Sequence, residues 1–238
     1  KVKFCPKVVG DEVKRDIAKM KSGDILVLEN LRFDPREEEN DPTFVKELAS
    51  YADIYVDDAF GVAHRKHASN YGVALKLPNA IGFLIEKELN VFEKAFKNPK
   101  KPFVAIFGGA KVKDKLLLIK NIIGKADVVL IGGGMAYTFL LAEGINIGKS
   151  IVDLELVDEA KEILKEARGA GMKVVLPVDH VALKYDRVIK TNNLDADMVG
   201  LDIGKKTIKL FAEEIKHAGQ IVWNGPLGKY EDKRFKMG

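Results

Sequence analysis

The sequence predicts an α/β protein with parallel sheets, in which crossover helices connect the strands. Short buried apolar runs alternate along the chain with longer amphipathic segments, and this alternation is what builds parallel sheets. Several of the apolar runs end in glycine-rich turns, which are typical of the carboxyl ends of strands in such sheets. Hydrophobic residues make up 47% and charged residues 31% of the 238-residue sequence, which favours a folded globular protein over a disordered one.

Each predicted element has a local cause. Asp41 is placed to cap a helix that begins at Pro42, where the missing N–H of proline costs nothing. Two prolines and two lysines in residues 98–102 predict a domain boundary. The predicted strands lie at residues 24–28, 52–56, 103–107, 128–131, 174–176 and 221–223. The predicted helices lie at residues 42–49, 82–97, 112–123, 135–142, 158–169 and 205–217.

Composition narrows the class of protein. Lysine and arginine exceed aspartate and glutamate by 39 − 35 = 4, an excess too small to indicate nucleic-acid binding. Cys5 is the single cysteine, so no internal disulfide forms and a reducing compartment is favoured. No apolar run approaches the roughly 20 residues of a membrane span, and the start of the chain has no secretory signal. We therefore expect a cytoplasmic protein with neither a nucleic-acid nor a membrane partner.

The strongest local motif is residues 107–115, in which a strand runs into two glycines and then a helix. Gly108 and Gly109 let a ligand approach the backbone, and a helix N-terminus attracts anions. Lys111 and Lys115 are four residues apart, so a helix would place both ammonium groups on one face, which suits a polyphosphate. The alternative is a tight turn followed by a solvated lysine-rich helix. The spacing does not match a Walker A loop.

Two further turns follow strands. The glycines at residues 132–134 would let a flat ligand such as a purine lie on bare backbone, or would simply allow close strand–helix packing. They are not a dinucleotide fingerprint, because no third glycine stands at the required place. In residues 222–228, Asn224 and the turn backbone are candidate ligand contacts, and Glu231 is a candidate acceptor for ribose hydroxyls.

A basic cluster predicts a second anion site. His64, Arg65, Lys66 and His67 follow a strand, and arginine binds carboxylate and phosphate groups bidentately. A metal site there lacks enough ligands, and an exposed basic turn is the alternative. Asp58 is expected at most to orient Arg65 or His64.

Arg32 also follows a strand, and it would face the same crevice as Arg65 if the two strands are neighbours. The three carboxylates of Glu37, Glu38 and Glu39 come next. We expect them to form a solvated loop without chemistry.

Taken together, these segments resemble the phosphoglycerate kinase family. Each motif alone is weak or moderate, but five in the family's order across nearly the whole chain make coincidence improbable. The matching segments are LENLRF at residues 28–33, DAFG at 58–61 with AHRKHAS at 63–69, GGAKVKDK at 108–115, GGGMA at 132–136 and WNGPLG at 223–228.

The resemblance implies phosphoryl transfer between 1,3-bisphosphoglycerate and Mg-ADP, giving 3-phosphoglycerate and ATP. It implies two doubly wound parallel-sheet domains joined by a long helix, both incomplete here. Residues 1–81 would be part of the phosphoglycerate-binding domain, residues 82–101 the interdomain helix and linker, and residues 102–238 most of the nucleotide-binding domain.

The resemblance also assigns residues. Lys111, which stabilises the phosphoryl group in flight, and Arg32 would be catalytic. Arg32, Arg65 and His67 would bind phosphoglycerate. The implied nucleotide contacts are Gly109, Lys111, Lys115, Gly132, Gly133, Asn224, Pro226 and Glu231.

The departures from the family pattern qualify these expectations. Family members carry further substrate-binding motifs before Lys1 and a glycine-rich loop with the Mg-binding aspartate after Gly238. Mg²⁺ is therefore expected to arrive with ADP or ATP, with no metal ligand in this chain. The complete protein is expected to be a monomer, and this chain to turn over little or nothing. The alternatives are a non-catalytic nucleotide-binding fragment and, with less support, a Rossmann-type oxidoreductase.

Overall fold

The computed structural model describes all 238 residues of the chain except the side chain of Asp114. The chain forms two compact units, Lys1–Lys94 and Ala95–Gly238. The strands are β1 Val2–Cys5, β2 Ile25–Leu28, β3 Tyr55–Asp57, β4 Asn79–Ile81, β5 Phe103–Phe107, β6 Val128–Ile131, β7 Lys173–Val175, β8 His180–Lys184, β9 Arg187–Thr191, β10 Val199–Ile203 and β11 Gln220–Asn224. The helices are α1 Asp11–Ala18, α2 Pro42–Ala49, α3 Phe83–Lys97, α4 Lys113–Ile122, α5 Ala136–Ala142, α6 Val157–Gly169 and α7 Lys205–Lys216.

The predicted α/β fold is confirmed. Every predicted strand and helix is present, with ends within three residues of the prediction. In the described part of the chain, no helix combines the length and the apolar character that crossing a bilayer demands.

The first unit holds two separate pairs of parallel strands, β1 with β2 and β3 with β4. Its buried apolar cluster is small and consists of Phe44, Val45 and Ala68, with partly buried neighbours packed against it. The predicted cap of α2 is confirmed, because Asp41 Oδ1 accepts hydrogen bonds from Thr43 N at 2.9 Å and Phe44 N at 3.0 Å. Strands β1 and β4 and helix α1 were not predicted.

Helix α3 begins at a cap that comes from a distant part of the first unit. Asp58 Oδ1 accepts from Leu84 N at 2.8 Å and from Ile85 N at 3.0 Å. Gly82 permits this approach, since a Cβ there would lie 2.3 Å from Asp58 Cγ. The expectation that Asp58 orients Arg65 or His64 is therefore wrong: its carboxylate satisfies the first N–H groups of α3.

The second unit is built on a four-stranded parallel sheet in the order β11-β5-β6-β7. Its central strand β5 is buried along its whole length, so alternate side chains pack into different layers. Phe103 and Phe107 join one core with residues of α4, α5 and α6. Val104 and Ile106 join the other core, with Phe211 of α7. Helices on both faces make this the doubly wound arrangement that the sequence predicts.

A three-stranded antiparallel sheet in the order β10-β8-β9 completes the second unit, and the sequence analysis missed it. Strands β8 and β9 are joined by Tyr185 and Asp186, which have φ values of 46° and 62°. Tight hairpins need positive φ at both central residues and usually show Asn-Gly or Asp-Gly there. A Tyr-Asp pair gives no such signal, which is why the hairpin escaped prediction.

His180 is a buried ionisable group in this antiparallel sheet. Its side chain is 3% exposed, and its ring lies 5.6 Å from that of Tyr137. Among the described residues, none makes a hydrogen bond to its Nδ1. Burial lowers the pKa of His180, and the opposing attraction of Asp179 is weaker. The fold therefore holds the neutral imidazole.

We expect this imidazole to make the second unit less stable in mild acid. The unfolded chain binds the proton near the ordinary pKa of 6.5, whereas the folded chain resists it. The free energy of unfolding should therefore fall as the pH drops below that value, by at most about 1.4 kcal/mol per pH unit. Urea unfolding at pH 7.5, 6.5 and 5.5 measures the slope.

The variant His180→Leu should lose this slope, and His217→Leu, at an exposed position, should keep it. Equal pH dependence in the wild type and His180→Leu would contradict the assignment.

Candidate functional site

Three loops interlock at the carboxyl edge of the parallel sheet in the second unit. They follow strands β5, β6 and β11 and are held together by backbone hydrogen bonds. These bonds run from Gly108 N to Asn224 O at 2.9 Å, Gly109 N to Pro226 O at 2.7 Å, Gly133 N to Leu227 O at 2.9 Å and Met135 N to Gly109 O at 2.8 Å. The edge is thus a single rigid platform, which is where open α/β sheets bind ligands.

Glycine is needed for this interlock. Gly133 has φ +65°, and a Cβ there would lie 2.5 Å from Gly109 N and 2.7 Å from Pro226 O. Gly132 is buried, and its Cβ would meet Leu227 Cδ2 at 2.6 Å. Residues 132–134 were predicted either to form a ligand surface or to allow close packing, and the structure shows the close packing. A ligand surface is compatible with it where the glycines also reach the cleft.

The platform borders a cleft of about 420 Å³. Its walls are mostly bare backbone and apolar side chains, which suits a flat, uncharged ring. Lys229 and Glu231 are the ionisable groups among the described lining residues. The lining residues are Gly109, Ala110, Gly133, Gly134, Ile151, Gly200, Leu201, Pro226, Gly228, Lys229 and Glu231.

The cleft brings together four of the predicted nucleotide contacts, namely Gly109, Gly133, Pro226 and Glu231. Gly200 and Leu201 were not predicted as contacts, because they belong to the unpredicted strand β10. Ile151 was not predicted either, because its segment shows no periodic pattern of apolar residues.

A buried carboxylate supports the cleft from behind. Asp202 is 2% exposed, and a Cβ on the cleft residue Gly228 would lie 2.1 Å from its Oδ1. Asp202 Oδ2 accepts from Met237 N at 2.8 Å and from Gly238 N at 3.1 Å. Burial raises the pKa of Asp202, and these donors oppose the rise. The contact fixes residues 228–238 against β10.

Lys115 and Asn224, both predicted nucleotide contacts, are joined by hydrogen bonds at the ends of β5 and β11. Lys115 Nζ donates to Gly108 O at 2.6 Å, to Asn224 Oδ1 at 2.6 Å and to Asn224 O at 3.1 Å. The ammonium group therefore bridges the ends of β5 and β11. A positive charge stands at the sheet edge before any ligand arrives.

The prediction that Lys111 and Lys115 lie on one helix face is wrong. Helix α4 begins at Lys113, so Lys111 lies in the preceding loop and does not share a helix face with Lys115. The amides of Gly108 and Gly109 are also committed to Asn224 O and Pro226 O, so they do not form an anion nest. Lys111 is exposed and lines a second cleft of about 670 Å³, which shares Ala110 and Ile151 with the first.

The first unit carries the predicted basic residues on two loops. Arg32 lies in a short 3-10 turn, Leu31–Phe33, with its Nε 3.6 Å from Glu38 Oε1. Arg65 is exposed, whereas the His67 side chain is 11% exposed. Strands β2 and β3 belong to different sheets, so Arg32 and Arg65 do not share a sheet edge as the sequence argument supposed.

Glu37 connects these loops, and the expectation that it is solvated is wrong. Its carboxylate is 3% exposed and accepts from Ser69 N at 3.0 Å and from Ser69 Oγ at 2.6 Å. His67 Nδ1 lies 3.9 Å from Glu37 Oε1. No pattern in a run of three glutamates shows which one is buried.

The close contact of the three loops predicts that alanine costs more stability at Gly133 than at Gly144, although both glycines have positive φ. Gly133→Ala should lower the free energy of unfolding of the second unit by at least about 1 kcal/mol more than Gly144→Ala. Both variants strain a left-handed residue, at about 1–2 kcal/mol each. At Gly144, however, a Cβ would meet nothing within 4 Å, so no clash is added. Urea titration measures both losses, and equal losses would show that the three loops do not depend on the bare Cα.

Comparison with known proteins gives a consistent picture. The family model for phosphoglycerate kinase matches residues 1–238. The phosphoglycerate kinase of Finegoldia magna is 48% identical over 245 residues, which cover 100% of this chain and 62% of that protein. That of Dictyoglomus turgidum is 49% identical and is covered to 61%.

Solved structures agree. Phosphoglycerate kinase from Pyrococcus horikoshii OT3 is 33% identical with a TM-score of 0.84, covering 100% of this chain and 63% of that one. The enzyme from Coxiella burnetii is 38% identical with a TM-score of 0.76, covering 90% of this chain and 57% of that one. The chain spans about six-tenths of the length of these relatives. It belongs to the phosphoglycerate kinase family.

Proposed function

We propose that this chain is part of an enzyme that transfers a phosphoryl group between 1,3-bisphosphoglycerate and Mg-ADP, giving 3-phosphoglycerate and ATP. The observation that carries the proposal is the cleft in the second unit together with the Lys115–Asn224 pair, whose ammonium group would lie 3.5 Å from a Cβ on the cleft residue Gly109. A flat apolar slot beside a fixed ammonium group matches the two halves of a nucleotide, its base and its phosphates.

In this proposal the base lies between the glycine backbone and Leu201, and Glu231 accepts hydrogen bonds from the ribose. Lys115 binds the phosphates. Its ammonium group has three N–H donors, and three acceptors of Gly108 and Asn224 already meet it. A phosphate oxygen must therefore replace one of them, which is favourable because a charged acceptor bonds more strongly than a carbonyl.

Lys111 is the proposed stabiliser of the phosphoryl group in flight. It is exposed, and it precedes the N-terminus of α4, whose Val112 cap provides no side-chain acceptor. Phosphoryl transfer needs positioning and charge neutralisation more than covalent help from the protein. An ammonium group beside a helix N-terminus provides both.

The first unit is proposed to bind the phosphoglycerate through Arg32, Arg65 and His67. Guanidinium groups pair bidentately with carboxylate and phosphate, and this substrate carries both. Glu38, which is 3.6 Å from Arg32 and has a side chain that is 59% exposed, is readily displaced by a phosphate.

Magnesium enters as part of the substrate. Among the side chains that the structure describes, no three acidic, imidazole or thiol groups gather into a metal site. Monomeric state and a cytoplasmic location stay predictions.

Calorimetric titration of the chain with Mg-ADP tests the nucleotide half of this proposal, with NAD as the control ligand. Saturable binding of Mg-ADP and none of NAD is expected. Lys115→Met keeps most of the side-chain stem but removes the charge. It should raise the Kd for Mg-ADP by roughly tenfold or more, as expected for a lost hydrogen bond to a charged group.

Lys120→Met, an exposed position on the same helix, should leave that Kd unchanged. Binding of NAD in preference to Mg-ADP would favour the oxidoreductase alternative. An unaltered Kd in Lys115→Met would remove Lys115 from the phosphate site.

A further inference from the structure

We propose that Glu37 is a positioning residue that holds the two basic loops of the first unit in the arrangement that binds a phosphorylated glycerate. The inference rests on the proposed function, because it gives those loops their ligand. Glu37 itself contacts no substrate in this proposal. It acts through Ser69, which its buried carboxylate binds, and Ser69 stands two residues after His67.

The carboxylate is held at both oxygens. Ser69 donates twice, from its amide to Oε2 at 3.0 Å and from its hydroxyl to Oε1 at 2.6 Å. His67 Nδ1 lies 3.9 Å from Oε1. Glu37 is 3% exposed, so water does not compete for these contacts and the carboxylate depends on them. The His67 side chain also accepts a hydrogen bond from the backbone N–H of Asn70, which holds the ring in place.

On one side, a short rigid connection joins Glu37 to Arg32. Asp34 N donates to Leu31 O at 3.1 Å, and Glu37 N donates to Asp34 O at 3.1 Å, so two successive turns are closed. Asp34 also caps the second turn by accepting from Arg36 N at 3.1 Å. The Arg36 guanidinium beside Asp34 holds the pKa of that carboxyl below its ordinary value. Fixing Glu37 therefore fixes the backbone that carries Arg32.

On the other side, Asn70, which follows Ser69 in the chain, holds the turn that carries Arg65 and His67. Asn70 Nδ2 donates to Val62 O at 2.7 Å and to Arg65 O at 3.0 Å, and Oδ1 accepts from His67 N at 3.1 Å. Asn70 is 8% exposed. Asn70, the neighbour of Ser69, thus binds the backbone of both Arg65 and His67. Glu37 is the contact that joins this assembly to the Arg32 loop.

The three consecutive glutamates differ in what they touch. Glu37 is buried and held by Ser69, Glu38 is mostly exposed beside Arg32, and Glu39 is exposed. A carboxylate open to an anion site would repel the ligand, but the charge of Glu37 is buried and met by two donors. The neighbour Glu39 therefore provides a matched control of identical chemistry.

The test is calorimetric titration of the whole chain with 3-phosphoglycerate, using Glu37→Gln and Glu39→Gln. Glu37→Gln should raise the Kd by about tenfold or more, because the loops lose a hydrogen-bonded charge and the binding groups shift. Glu39→Gln should bind as the wild type does. The Kd for Mg-ADP, which binds the second unit, should be unchanged in both variants, and urea unfolding followed by circular dichroism checks that the first unit of each variant stays folded.

Two variants at Ser69 keep the test decisive should Glu37→Gln fail to fold. Ser69→Ala loses the hydroxyl donor and should weaken binding of 3-phosphoglycerate severalfold. Ser69→Thr retains both donors and should restore wild-type binding, a rescue that a merely structural role does not require.

The outcomes separate the two proposals. Wild-type Kd values in Glu37→Gln, or in Ser69→Ala if the first variant does not fold, overturn the positioning role and leave the proposed function intact. Absence of 3-phosphoglycerate binding by a wild-type chain that binds Mg-ADP overturns the phosphoglycerate role of this unit and the inference with it.

Discussion

The second unit depends on the close approach of three backbone loops at one edge of a parallel sheet. A Cβ on Gly108 would lie 2.1 Å from Pro226 O, and one on Gly133 would lie 2.5 Å from Gly109 N. These distances leave no room for a side chain at either glycine, so the loops approach closely enough to join through backbone hydrogen bonds. The same absence of side chains creates the narrow cleft. Packing and binding are thus two consequences of one constraint.

The first unit is organised differently, because its apolar cluster is small. Val2, Phe4 and Ile25 on β1 and β2 are 67%, 56% and 55% exposed in this chain, which spans about six-tenths of the length of its relatives. Carboxylates that accept backbone N–H groups supply fixed points instead. Asp58 begins helix α3, and Glu37 joins the loops of Arg32 and Arg65. Charge-assisted bonds of this kind are stronger than neutral ones, which suits them to hold loops that a small core leaves free.

The sequence predicted the elements that depend on local chemistry. Asp41 and Pro42 mark the start of α2 because capping involves neighbours in the chain, and the run at residues 103–107 marks a strand buried on both faces. The predicted helix at residues 112–123 begins after Lys111, as α4 does, so placing Lys111 on a helix face with Lys115 extended the helix beyond its own predicted start. Small errors at helix ends therefore matter most for site residues, since ligands bind at those ends.

Features that depend on distant contacts were not predictable. The partner of Glu37 lies 32 residues away, and no local pattern separates Glu37 from the two glutamates after it. Strand β10, which brings Gly200 and Leu201 to the cleft, pairs with β8, whose own hairpin to β9 lacks glycine. In the same way, the sequence does not reveal that Gly132 packs on Leu227 while Gly133 and Gly134 reach the cleft.

The bridge at Lys115 shows how a site can be prepared before its ligand arrives. The carbonyls of Gly108 and Asn224 keep the ammonium group at the sheet edge, so little side-chain freedom remains to be lost on binding. Asn224 O also accepts from Gly108 N at 2.9 Å, so in the proposed nucleotide site it would keep a donor when Lys115 binds a phosphate. The exchange therefore leaves that carbonyl satisfied and gains a charge-assisted bond. The two neutral carbonyl oxygens thus hold the ammonium group in place but bind it less strongly than a charged phosphate would.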